Sequence, residues 1–226
     1  MAAGATRDRI LDAAERLFAR RGYYGVSLRA IAEEAGVQLG LLPYHFGSKE
    51  GLYAAIFERR MGRINAERRV RLEAVRARAA GWPPALDEIL ETLVAPLVHA
   101  SHDAERGGVD FARLVNDVVN SGDRERVLPL MAAHFDGMAR EFLEALAEAL
   151  PGRSREDVLW AYHFSGGALA FAIANRDRLE RLADGELADG DAAGHVKRLL
   201  DYLVAAIRGT TPAQPLSLAR GRLAAS

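Results

Sequence analysis

The sequence contains no cysteine in its 226 residues. Without thiols there is neither a disulfide framework nor a thiolate metal site, and nothing points to an oxidising compartment. Net charge is nearly absent too, −1 with histidine neutral, which argues against a protein that coats nucleic acid wholesale. Nowhere do about 20 apolar residues follow one another, so no membrane partner is expected. The start, MAAGATRDRILDAAERLF, lacks a basic region followed by a continuous apolar stretch, and cytoplasm is the expected compartment. No segment sustains the period-2 alternation of a strand. Nucleophile elbows, phosphate-binding glycine loops, metal-ligand spacings and paired carboxylates are missing as well. The expectation left by these absences is an all-α protein that is not an enzyme and needs no cofactor. A helical body with scattered histidines keeps an enzyme as the competing reading.

Half of the residues are apolar and 27% are charged, enough to bury a sizeable core. The length exceeds the roughly 100–200 residues of a common single domain and leaves room for one small and one larger helical unit. Ile10, Ala13, Ala14, Leu17 and Phe18 recur at helical spacing, so the first helix has one apolar stripe and stops before Gly22. Ser27 is placed to cap a second helix that carries Leu28, Ile31, Ala32 and Ala35 on one face, with Ala30 leaving the capping box incomplete. Gly36 supplies a left-handed stop, after which Val37, Leu42 and Phe46 are spaced to pack back. Two short helices on a tight glycine turn make a helix-turn-helix.

The stretch RAIAEEAGVQLGLLPYHFGSKEGLYAAIF resembles the DNA-binding domain of the TetR family of bacterial transcriptional regulators. The resemblance rests on the Ala35-Gly36-Val37 turn, on Tyr44, His45 and Phe46, and on Ser48, Lys49 and Glu50 opening a long fourth helix. It is close over residues 6–55 and continues only as an all-helical layout. It implies a homodimer on a double-stranded DNA operator, usually released by a small-molecule effector. Carried over residue by residue, it places Ser27 and Arg29 against phosphates. It sets Gln38, Leu39, Gly40 and Leu41 on the outward face of the recognition helix, and gives Tyr44, His45 and Lys49 further phosphate contacts. This chain departs from the family's usual residues at Leu39, Leu41 and Pro43, so base reading would fall on Gln38 with apolar contact to thymine methyls. Pro43 is expected late in a short helix and to distort it. Apart from any ligand, Ser27 is a cap, Tyr44 packing and Gly40 a weak helix residue.

The run RRMGRINAERRVRLEAVRAR, residues 59–78, is strongly basic, whereas residues 183–194 are acidic and read as flexible. Only the first turns of the basic run are expected to feel DNA; a solvated face accounts for the rest. The expected division is a DNA-binding domain over residues 1–50, an effector-binding and dimerisation domain over 51–208 and a loose tail over 209–226. The body reads as five helices, two of them with internal prolines, able to enclose a cavity. Candidate lining residues are Phe111, Leu114, Val115, Val118, Met131, Phe135, Met138, Trp160, Phe164 and Ala168, with histidines as polar anchors; for each alone, plain core is the simpler reading. The segment VLPLMAAHFDGMAREFLEALAEAL reads as one helix. The small-residue helix after Ser154 and the last helix are expected to form a four-helix bundle with a second chain, or else to close the monomer's own core.

Overall fold

The apolar stripe of the first helix, α1 (Ala2–Arg21), is fully buried from Ile10 to Phe18, and the chain folds back over it at once. In the computed structural model, which describes residues 2–103, 108–184, 186 and 191–210, every regular element among those residues is a helix. α2 (Leu28–Ala35) and α3 (Leu41–Phe46) complete the small unit, and α4 (Lys49–Ala79) leaves it as a 31-residue rod. The body follows as α5 (Leu86–His102), α6 (Gly108–Asn120), α7 (Arg124–His134), α8 (Asp136–Ala149), α9 (Arg155–Ala174), α10 (Arg176–Leu182) and α11 (Ala192–Gly209). A single apolar core runs from Ile10 through Leu52, Phe57 and Leu90 to Ile207. Among the described residues no helix is long and apolar enough to cross a membrane.

Local chemistry sets several helix ends. Ser27 Oγ accepts from Ala30 N, and Gly36 closes α2 in the left-handed conformation at φ 63°. Ser154 and Asp157 form a complete capping box at the start of α9. The body, however, holds seven helices among the described residues rather than five. The stretch expected as one helix breaks at Phe135, whose φ of −119° ends α7 as its ring packs 6.2 Å from Phe57. Packing of that aromatic overrides local helical preference. The short α10 was not anticipated. The tail from residue 211, and residues 185 and 187–190 of the acidic stretch, fall outside the described residues.

Much of the basic run of α4 is paired with carboxylates of other helices. Glu15 of α1, 2% exposed, accepts from Arg59 Nη2 at 2.8 Å and Arg60 Nε at 3.0 Å, while Arg59 Nη1 reaches Asp12 at 2.7 Å. Further along, Arg69 pairs with Glu141, Arg76 with Glu148 and Arg78 with Glu88. These partners lie on α1, α8 and α5, so the run ties α4 to the fold, while Arg63 is exposed. Removing one partner of a buried ion pair leaves the other charge desolvated and uncompensated. Glu15→Ala should therefore lower stability by about 3 kcal/mol, measured by denaturant unfolding; a loss within the few tenths typical of a surface site would show that water screens the cluster.

Candidate nucleic-acid interface

The surface beside α3 is built from two capped helix starts with a short turn between them. At α2, Ser27 caps the helix and Arg29 is exposed, held by Glu33 through Nε at 3.2 Å. At α4, Ser48 Oγ accepts from Gly51 N at 3.1 Å. Free backbone N–H groups at a helix start, with the macrodipole behind them, favour a phosphate.

Between the caps the structure corrects the expected placement. α3 has only six residues, so Gln38, Leu39 and Gly40 lie in the turn that precedes it rather than along its face. All three are exposed, whereas Leu41 is half-buried and packs on the core. Pro43 sits in the first turn of α3 and not late in it. An N–H there would have had little to bond to inside so short a helix, so proline fits without the expected distortion. Gly40 has φ −62°, and a Cβ added there would meet nothing within 4 Å, so the fold itself does not require glycine. Tyr44 stands out at 81% exposure with its ring edge-on to His45, which is half-buried.

Lys49 is turned partly inward. Its Nζ lies 4.4 Å from the centre of the Tyr23 ring, and burial pulls its pKa below the ordinary lysine value. Tyr23, in the loop between α1 and α2, donates its hydroxyl to Glu50 at 2.7 Å, which holds that carboxyl below its usual range. Arg126 of α7 stacks over Tyr23 at 4.8 Å and Tyr53 at 5.3 Å, and pairs with Asp117 and Asp123; Tyr24 donates to Asp123. This cation and tyrosine cluster joins the small unit to the body. Sequence reasoning missed it, since Arg126 lies about a hundred residues from Tyr23 and no spacing rule reaches that far.

The candidate effector residues fall into two groups. Phe111, Leu114, Val115, Val118 and Met138 are buried in the core, with Met131, Phe135 and Ala168 half-buried against it. Trp160 and Phe164 are 50% and 64% exposed on the outside of α9, stacked on each other at 5.2 Å. That face contradicts an interior lining for these two. None of the ten residues borders the open groove of about 770 Å³ between α5 and α11, or the recess of about 220 Å³ between α4 and α5.

Comparison with known proteins bears on both units. Residues 10–56 match the family described as bacterial regulatory proteins, tetR family, and residues 91–206 match the tetracyclin repressor-like C-terminal domain. The HTH-type transcriptional regulator LmrA of Bacillus subtilis (strain 168) is 51% identical over 53 residues, which cover 23% of this chain and 28% of that protein. Among solved structures, the fatty acid degradation regulator FadR from Bacillus halodurans superposes with a TM-score of 0.60 at 21% identity, over 92% of this chain and 97% of that one. FadR from Bacillus subtilis, in complex with stearoyl-CoA, gives 0.58 at 18% identity over 88% and 97%. At these identities the structural likeness is one of fold.

The Ser27 cap separates folding from binding. In the free protein, Ser27→Ala should cost about 1 kcal/mol and Ser27→Gly only a few tenths, because glycine leaves the backbone donors open to water. Equal losses for both in thermal unfolding would mean that the hydroxyl does not cap α2 in solution.

Proposed function

The chain belongs to the TetR family of DNA-binding bacterial transcriptional regulators, and from that premise we propose that it is a dimeric, cytoplasmic repressor released from a palindromic operator by a small, largely apolar effector. The observation that carries the DNA half of the reading is the exposed turn of Gln38, Leu39 and Gly40, set beside Tyr44 and between two capped helix starts. In the major groove, Gln38 can read adenine in a bidentate fashion and Leu39 can meet a thymine methyl. Gly40, which the fold does not need as glycine, lets the backbone approach the bases. Ser27, Arg29, Tyr44, His45 and the start of α4 at Lys49 hold the phosphates and so set the register.

The dimer half is supported by an unpartnered aromatic stripe. Trp160, Phe164 and Phe171 stand four and seven residues apart along α9 and are all at least half exposed, with Gly167 between the last two and Tyr202 exposed on neighbouring α11. A monomer rarely leaves so many contiguous large apolar groups in water, and a second copy packed by a two-fold axis would cover them. Phe164→Asp should then convert dimer to monomer in sedimentation while leaving helix content unchanged. Sites selected from random DNA should be pseudo-palindromes with half-sites about one helical turn, roughly 34–36 Å, apart. A monomer on one asymmetric site would overturn the dimer.

Reading and holding separate by mutation. Gln38→Ala should cost roughly 1–3 kcal/mol at particular base positions. Lys49→Ala should weaken every sequence alike and make the salt dependence shallower by about one charge. An unchanged base preference in Gln38→Ala would remove Gln38 from the reading role. A protein whose operator affinity answers to no small molecule would instead be a constitutive regulator.

A further inference from the structure

Inside the body lies a guanidinium with no carboxylate in ion-pair contact among the described residues. Arg68, in the later turns of α4, is 6% exposed, and among the described residues it makes no ion pair. Its Nε and Nη2 both donate to the carbonyl oxygen of Leu93, at 3.1 and 2.7 Å, and Nη1 makes a long contact of 3.4 Å with Asn65 Oδ1. A guanidinium has five N–H donors, so those contacts leave donors open. Around it lie the Phe142 ring, 6.0 Å from Cζ, and the Tyr162 phenol of α9, which among the described residues hydrogen-bonds to nothing. Of the acids in the vicinity, Glu67 accepts from Arg71 at 2.7 Å while its charge also favours the Arg68 cation, and Asp136 acts on Tyr162.

The same helix shows how this chain treats buried arginines that serve the fold alone. Arg59 and Arg60 meet Glu15 and Asp12. Arg68 instead meets a neutral carbonyl one turn before Pro96, the proline inside α5. That contact orients the guanidinium without neutralising it, and burial pulls its pKa down to about 10, which leaves it charged at neutral pH. A buried charge with no carboxylate in contact is costly. The recess of about 220 Å³ between α4 and α5 lies one turn away along the same two helices, bordered by Arg60, Arg63, Ile64, Glu67, Pro96 and Ala100 and not by Arg68 itself.

We propose that the effector is an amphipathic carboxylic acid whose carboxylate pairs with the open donors of Arg68 while its apolar part lies toward Phe142 and the break between α7 and α8. This rests on the effector reading above and narrows it: the polar anchor is an arginine on α4, not a histidine. Because α4 also carries the DNA-proximal cap at Ser48, a carboxylate drawn to Arg68 acts on the element that positions the reading unit.

The test uses the full-length protein with matched probes: octanoate, decanoate, phenylacetate and benzoate against the alcohols of the same skeletons, with affinities from calorimetry at neutral pH. The acids should bind about tenfold or more tighter than the alcohols. Arg68→Gln should erase that preference while keeping alcohol binding, and Arg68→Lys should restore part of it. Equal affinities for acids and alcohols, or a preference that survives Arg68→Gln, would overturn the Arg68 anchor and leave an apolar effector standing. If neither series binds a protein that still holds its operator, the effector reading falls as well. Should Arg68→Gln not fold, titration of carboxyl-labelled octanoate bound to the wild-type chain decides. A bound carboxylate that stays ionised below the free acid's range supports the pairing; one that titrates as in water overturns it.

Discussion

The buried carboxylate of Glu15, held between Arg59 and Arg60, is the joint on which the geometry of the reading unit depends. Apolar packing between α1 and α4 would tolerate sliding, because one methyl is much like the next. An ion pair 2% to 14% exposed tolerates none, since a shift of an ångström or two leaves charge desolvated without a partner. With α4 fixed to α1, the two capped starts and the turn between them become a rigid set. Phosphate contacts can then specify register.

A second junction is softer. Arg126 lies over Tyr23 and Tyr53 while pairing with carboxylates of α6 and the following turn. One of its nitrogens, Nη1, is buried and hydrogen-bonds to nothing among the described residues. Ring-face contacts permit a few tenths of an ångström of adjustment at little cost, in contrast to the Glu15 pairing. The small unit is thus held to α4 by a buried ion pair and to α6 and α7 by ring-face, ion-pair and hydrogen-bond contacts, so a change inside the body can be felt at the reading head.

Glycine and proline along the path play different parts. Gly36 is needed for its backbone, since φ 63° is costly for other residues, while Gly40 occupies ordinary helical space that a side chain could share. Pro43 is harmless at the front of α3. Pro96, within α5, has no N–H for the preceding turn and lies beside the carbonyl that Arg68 holds.

Much of this protein is legible in a few adjacent residues. The Ser27 and Ser154 caps, the Gly36 stop, the α1 stripe and the all-helical class each depend on neighbours within one or two turns, and each is found where the spacing puts it. The family signature is legible for the same reason, being confined to a short run around the turn. Tertiary structure alone decided what the arginines of α4 do. Several of their partners stand 44 residues back at Glu15 or 72 ahead at Glu141 and Glu148, so a basic run in the sequence becomes a set of ties between helices, with Arg68 outside it. It also decided that Phe135 would break a helix and that Trp160 and Phe164 would face outward. Spacing fixes which residues share a face of a helix, but the direction in which that face points depends on packing against elements far away in the chain.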